Sequence, residues 1–435
     1  MKKQTTIHEP FARGESRRKR VARSDLGGWN RKLRERDPLQ LLDESMQGRV
    51  RSLISLKYQR MSASPFGFFR GAAPVMAYDL SLSAHTGIVN QLCGDAHVQN
   101  LGAYCGIDGR LIFDINDFDE TIRGPFEWDV KRMATSILLA GEQAKVKGSD
   151  CRGAAQAFLD SYCRLMKRLS LLPILDVARF QVHRLEAMTP ILKILLQAER
   201  ATPLHSRDQL TEITRAGRIF RSNPPVLWRV RGDERRAALA SLDRYRKTLL
   251  PERQHFLAQF RPIDVAFKVV GTGSVGLRDY CVYLEGNGPD DPLFLQIKEE
   301  TASAYAPYLQ KSASPEMHNG QRVADGQRAL QLQSDPFLGW TSFGRRDYLV
   351  RQLNDHKASL DVTTLNTTGL IEYAQVCGEM LARGHARSGD AREVVGYLGG
   401  GKRFKAAILE FASAYADQTT EDWKALLAHQ HKKKR

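Results

Sequence analysis

The sequence predicts an α+β protein of two lobes, one large and helical, the other smaller and built on an antiparallel sheet. Three observations predict it. Apolar residues recur at helical spacing, with long charged faces, through Leu39–Leu56, Trp128–Lys147, Gly153–Leu171 and Arg235–Phe260. Between Pro262 and Asp355 the pattern shifts to short β-branched and aromatic runs separated by turn clusters. Helical spacing then returns at Leu370–Arg383 and Phe404–Tyr415. At 435 residues the chain exceeds one ordinary core and suits two lobes plus extensions.

Taken in order, residues 1–38 form a basic arm. Its first 36 residues hold 12 Lys/Arg against 4 Asp/Glu, half of the chain's net charge of +16. Such an arm is expected to be solvated and dispensable for folding; the other reading is a contact with a polyanion. Residues 39–260 make the helical lobe. Residues 261–355 make the sheet lobe, with strands at Val265–Val270, Tyr280–Leu284, Leu293–Ile297 and Tyr348–Leu353. The cluster Gly286-Asn287-Gly288-Pro289-Asp290-Asp291 turns the chain between two of them, and a helix over 321–333 interrupts the series. Residues 356–435 return to the helical lobe and end in a basic tail.

Composition narrows the function classes. Hydrophobic residues at 42% and charged residues at 26% describe a globular chain. No apolar run reaches spanning length and Met1–Gly14 has no apolar stretch of signal type, so a cytoplasmic location is the expectation. Six scattered cysteines include no C-x-x-C pair, which speaks against a zinc site or a disulfide framework.

Chemistry concentrates in two places. The first is Cys93-Gly94-Asp95-Ala96-His97-Val98-Gln99-Asn100, followed by Leu111-Ile112-Phe113-Asp114-Ile115-Asn116-Asp117-Phe118-Asp119-Glu120. Phosphoryl transfer to a hydroxyl needs a carboxylate to take the proton, an amide oxygen on magnesium five residues later on the same loop, and a second carboxylate on magnesium after a short strand. Asp95, Asn100 and Asp117 have that spacing. Asp114 and Asp119 are candidates for a further metal ligand, Asp119 the better placed. His97 is expected to brace its own loop, and Asp129 to anchor that loop from a helix start.

The second is Gly271-Thr272-Gly273-Ser274-Val275-Gly276, a G-x-G-x-x-G run whose neighbours decide its meaning. A dinucleotide site requires a helix straight after the glycines. Here Tyr280-Cys281-Val282-Tyr283-Leu284 continues as a strand, so Gly271, Gly273, Ser274 and Gly276 are expected to fold over nucleotide phosphates. The next strand ends at Lys298, placed to pair a phosphate, with Asp325 on the following helix or Glu299 to hold it. Tyr348–Leu353 is the candidate strand meeting adenine. Gly396 to Gly401-Lys402 matches a P-loop only superficially, since Arg403 replaces the hydroxyl that would bind magnesium.

The Gly94–Asn100 loop resembles the H-G-D-x-H-x-x-N loop of aminoglycoside-phosphotransferase-type kinases, with Cys93 in place of the first His. Asp117-Phe118-Asp119, Gly124-Pro125 and Trp128-Asp129 resemble the stretch that follows it in those enzymes. The resemblance implies a protein-kinase-like fold, circularly permuted because the catalytic loop precedes the Gly-rich loop, using ATP and Mg2+ on a hydroxyl-bearing acceptor. AMP transfer on the same fold, or a non-catalytic nucleotide- or polyanion-binding module, are the alternatives. Over nearly the whole chain, blocks such as Arg60-Met61-Ser62-Ala63-Ser64-Pro65-Phe66-Gly67-Phe68-Phe69-Arg70-Gly71, Leu295–Glu299 and His385–Asp390 resemble the bacterial family DUF 2252, which implies no activity by itself. Arg70 in the first block is either a phosphate contact or a structural arginine.

Overall fold

The computed structural model describes residues 8–182, 188–215, 217–309, 317–353 and 358–433. The chain opens with α1 (Glu9–Arg20), α2 (Pro38–Ser45), α3 (Arg51–Ser62), α4 (Pro65–Gly71) and α5 (Ala73–Ser81). Ser64 caps α4 by accepting from Gly67 N at 2.9 Å, and Pro65 occupies the first turn, where no N–H is needed. Strands β1 (Val89–Leu92), β2 (Leu101–Cys105), β3 (Leu111–Ile115) and β4 (Ile122–Pro125) follow. They pair as β1 with β4 and β2 with β3, so two ladders hold the loops between them. The helices α6 (Glu127–Gln143), α7 (Gly148–Leu169), α8 (Ile174–Arg179), α9 (Thr189–Arg200) and α10 (Pro203–Leu210) come next.

A hairpin, β5 (Thr211–Thr214) and β6 (Gly217–Phe220), leads to β7 (Leu227–Arg229), α11 (Gly232–Arg246) and α12 (Pro251–Leu257). Then come β8 (Arg261–Lys268), β9 (Asp279–Glu285), β10 (Pro292–Glu300), α13 (Asn319–Leu330), β11 (Gly339–Phe343), β12 (Arg346–Gln352) and the short β13 (Ala358–Ser359). The chain closes with α14 (Thr367–Ser388), α15 (Ala391–Leu398) and α16 (Lys402–Lys433). The expected strands of the sheet lobe are β8, β9, β10 and β12. They belong to an antiparallel six-stranded sheet in the order β11-β12-β10-β9-β8-β7.

Alternation along these strands sorts side chains between two faces. Val265, Phe267, Val282, Leu284, Leu295 and Ile297 pack with Tyr245 of α11 and Leu53 of α3. Ala266, Cys281, Tyr283 and Phe294 pack instead with Phe220 of the hairpin. Both faces are therefore covered, which explains why these strands read as nearly continuous apolar runs.

The larger core joins α6, α7, α14, α15 and α16. α6 is buried on almost every side. α7 and α14 touch closely at Gly378, where a Cβ would collide with Phe158 O. Among the described residues no helix is long and apolar enough to cross a membrane.

The arm departs from expectation. Although α1 exposes most of its residues, it is docked on α15, where a Cβ at Gly14 would collide with Glu393 O and one at Gly396 with Phe11 O. Arg18 donates to Tyr397 O at 3.0 Å and also to Gly396 O. Leu26 is fully buried in the large core. Arg34 bridges buried Asp79 and Asp422. The positive charge that looked like a solvated face thus partly serves as buried partner groups. In the tail, Lys434 and Arg435 lie outside the described residues. Gly399 (φ 57°) and Gly401 (φ 78°) form the turn from α15 to α16, so the P-loop-like run joins two helices.

Candidate functional site

Asp95 lies on the loop between β1 and β2. Its neighbour Gly94 has φ 83°, and a Cβ there would collide with Glu120 O, so glycine is required twice over. The first turn of α6 holds this loop. Asp129 accepts from Cys93 N at 2.8 Å and from Gly94 N at 3.0 Å. One turn on, Arg132 donates through Nε to Asp95 Oδ1 at 2.8 Å and again through Nη2. Burial opposes ionisation of Asp95, but Arg132 outweighs it and holds the carboxyl below its ordinary value. Both Arg132 bonds go to Oδ1, and Oδ2 lies 3.7 Å from His97 Nε2, in a residue that lines the cleft.

Asn100 and Asp117 come together through the β2–β3 hairpin, whose register sets Leu101 opposite Ile115. Asn100 Oδ1 accepts from Asp117 N at 2.7 Å, and its Nδ2 donates to Asp95 O at 3.0 Å and Asp117 O at 2.9 Å. Asn100 thus ties the two acidic loops together and keeps one Oδ1 lone pair for a cation. Asp114 is fully buried against Arg383 and faces the core, so it offers nothing to the cleft.

Lys298 sits in mid-sheet on β10, opposite Asp279 of β9 and Leu349 of β12. Its Nζ lies 2.6 Å from Asp119 Oδ1 and 3.2 Å from Asp117 Oδ1. Burial opposes its charge, but the two carboxylates more than compensate and push its pKa up. Burial raises Asp119 to about 7, reinforced by repulsion from Asp117. Burial also opposes the charge on Asp117, yet Lys298 and Arg351 hold it below the usual carboxylate range.

The glycine-rich run leaves β8 and enters β9, with positive φ at Gly271 (66°) and Gly276 (91°). Gly271, Gly273 and Ser274 line one cleft with Asp95, Asn100, Asp117 and Asp119; Gly276 closes the loop where it meets Arg49. Arg70 also lines that cleft and donates to Gln99 of the acidic loop at 2.7 Å. A roomier depression between α9 and the start of α14 contains none of these residues.

Two expectations for holding Lys298 do not fit. Asp325 pairs with Arg328 at 3.3 Å on a half-exposed face, because α13 turns Val323, Ala324 and Gly326 inward. Glu299, one residue along a strand, points to the opposite face and binds Arg278 and Arg346. α13 instead contributes Arg322, which donates to Asp119 O and Thr301 O, each at 2.8 Å. β12 has neighbours on both sides over Asp347–Val350, so much of the backbone expected to meet adenine is already paired. Residues 354–357, which follow, lie outside the described ones.

Sequence reasoning also missed Arg132. Its signal was present as Asp129 and Arg132 one turn apart at a helix start, facing the loop that begins at Cys93.

Burial drives the His97 imidazole down to about 4, with Arg70 and Arg132 assisting and Asp95 opposing. The folded protein therefore keeps His97 neutral while the unfolded chain takes up a proton below about 6.5. The unfolded state holds more protons between about 4 and 6.5, so stability rises with pH across that window and is lost as pH falls. Urea denaturation of wild type and His97→Gln should diverge there, with a relative wild-type loss of up to about 3 kcal/mol. A pH-independent difference would show that His97 does not titrate in this way.

A family model described as an uncharacterized protein conserved in bacteria matches residues 49–429. No curated protein and no solved structure matches the chain significantly.

Proposed function

The chain belongs to the bacterial family DUF2252, and from its cleft we propose that it is an ATP- and Mg2+-dependent phosphotransferase of protein-kinase-like, circularly permuted architecture. The observation that carries this reading is the meeting of Lys298 with Asp117 and Asp119, across 181 positions of chain, beside the loop that bears Asp95. A lysine from a sheet and a carboxylate after a short strand are the parts that phosphoryl transfer requires on the two sides of its nucleotide. Their order along the chain is reversed, with both acidic loops ahead of the glycine-rich loop, and hence the permutation.

The donor set fits magnesium. Among the described residues no group of three or more His, Cys, Asp or Glu side chains forms a metal cage. Magnesium that works with nucleotides does not need one, since it takes one or two carboxylates and completes its shell with phosphate oxygens and water. Asp117, Asp119 and the Oδ1 of Asn100 would hold it, and it would neutralise charge on the transferred group. Lys298 and the glycine-rich loop hold the phosphates. Asp95 Oδ2 takes the proton of the acceptor hydroxyl as its oxygen bonds to phosphorus and ADP leaves, while Arg132 on Oδ1 keeps the carboxylate aimed.

Magnesium-ATP should stabilise the protein by about 2.7 kcal/mol at a hundredfold excess over Kd. Thermal unfolding should show that gain in wild type and lose its magnesium dependence in Asp117→Ala. ATP labelled separately at the γ- and α-phosphates, with cell extract as acceptor, identifies the transferred group. Label from the γ-position supports the reading; label from the α-position replaces it with AMP transfer. No stabilisation and no transfer would end the enzyme reading and leave a binding module.

A further inference from the structure

Three cations donate to the glycine-rich loop from the segments that precede the acidic loops, and a fourth, Arg70, lines the same cleft. Arg49 Nη1 donates to Val275 O at 2.6 Å, Lys57 Nζ to Gly273 O, and Arg60 Nη1 to Gly271 O. Arg70 passes beneath, its own carbonyl 3.4 Å from where a Cβ on Gly273 would stand. Every second carbonyl of the loop is thus taken by a positive side chain. A neutral donor would serve as well for merely pinning a loop, and α3 and α4 would be spared the cost of charge.

That cost is real here. Among the described residues none of the four has a carboxylate oxygen within 4 Å, although Lys57 is only 2% exposed. Burial lowers the pKa of all four. The nearby acids are engaged elsewhere: Asp95 with Arg132, Asp117 and Asp119 with Lys298, and Glu120 with Ala304 N at 2.6 Å. Arg70 Nε and His97 Nδ1, both in residues lining the cleft, are buried without a hydrogen-bond partner among the described residues. Acids of the cleft act on Arg49, Lys57 and Arg70 from a distance, but a cation taken out of water without a direct counter-charge, Lys57 above all, is destabilising unless an anion completes it. Guanidinium groups match the oxygens of a phosphate in geometry as well as charge.

We propose that Arg49, Lys57, Arg60 and Arg70 form a second oxyanion site under the glycine-rich loop, which takes a phosphate group other than the one facing Lys298. As a substrate site it rests on the phosphotransferase reading. Its occupant is the far end of the nucleoside triphosphate or a phosphate already carried by the acceptor. On binding, the cations exchange loop carbonyls for phosphate oxygens, and the loop is released to close over the ligand.

The test uses the full chain and inorganic pyrophosphate without magnesium, with binding measured by calorimetry. Arg60→Gln and Arg70→Gln should each weaken pyrophosphate about tenfold or more, the effect of one charged hydrogen bond. Arg60 is only partly buried, so its variant should keep the wild-type circular dichroism spectrum, which makes the comparison secure should Arg70→Gln fold poorly. A parallel loss of magnesium-ATP affinity in these variants assigns the site to the nucleotide. Intact magnesium-ATP affinity with lost pyrophosphate binding assigns it to the acceptor. Pyrophosphate binding that ignores both arginine substitutions overturns the proposal. Wild type that binds pyrophosphate through these arginines but never magnesium-ATP would sink the phosphotransferase reading alone. Wild type that binds magnesium-ATP while both variants keep full pyrophosphate affinity would sink the second site alone.

Discussion

Asp95→Ala is expected to lower turnover by about 10²- to 10⁴-fold, the range for removing a positioned proton acceptor. Magnesium-ATP affinity should change little, because Asp95 bonds neither Lys298 nor the Asp117 and Asp119 side chains. The variant also frees Arg132, a fully buried guanidinium whose carboxylate partner is Asp95. Some loss of stability must therefore accompany the loss of rate. Asp95→Asn separates the two effects, since it keeps an oxygen for Arg132 but no longer accepts a proton. Single-turnover transfer with saturating nucleotide is the measurement. Full-rate transfer by Asp95→Asn would remove Asp95 from the chemistry and leave it as the partner of Arg132.

Arg34→Ala is expected to destabilise the protein by about 3–5 kcal/mol, the usual consequence of stripping one partner from a buried ion pair. Arg34 binds Asp79 through Nε at 2.9 Å and again through Nη2. Its Nη1 meets both oxygens of Asp422, at 2.9 and 3.0 Å. Its guanidinium also lies over the Trp29 ring, 5.3 Å from the centroid. Asp79 is wholly buried, and burial raises its pKa even with Arg34 in place. Without the arginine Asp79 is left as a buried carboxylate that must protonate or unfold its surroundings, so the deficit should shrink as pH falls. Urea midpoints for wild type and variant at neutral and acid pH provide the check. A loss below about 1 kcal/mol would match an exposed pair instead and would restore the view of residues 1–36 as a detachable arm.

The strands of the sheet lobe were legible because β-branched and aromatic runs and turn chemistry are local. The run at Tyr280–Leu284 matches β9 to within one residue at each end, while β8 begins four residues before Val265 and β10 runs three residues past Ile297. The charged arm was misread for the same reason. Local composition shows that Arg18 and Arg34 are charged, but not that Gly396 O, Asp79 and Asp422 wait for them several hundred positions away or across a core. Asp325 failed on helix phase. The phase of α13 is set by what packs against Gly326 and Ala324, and that leaves Asp325 on the outer face.

By itself the sequence determined the α+β class, the spacing of Asp95, Asn100 and Asp117, and the strand that follows the glycine-rich run, since each depends only on neighbours in the chain. Tertiary structure alone decided which charges meet. Lys298 lies 2.6 Å from Asp119, Arg132 holds Asp95, and Arg49, Lys57 and Arg60 reach the glycine-rich loop from α3 and the turn before it. Such pairings join residues up to 226 positions apart, and the packing of cores brings them together without leaving any local sequence pattern.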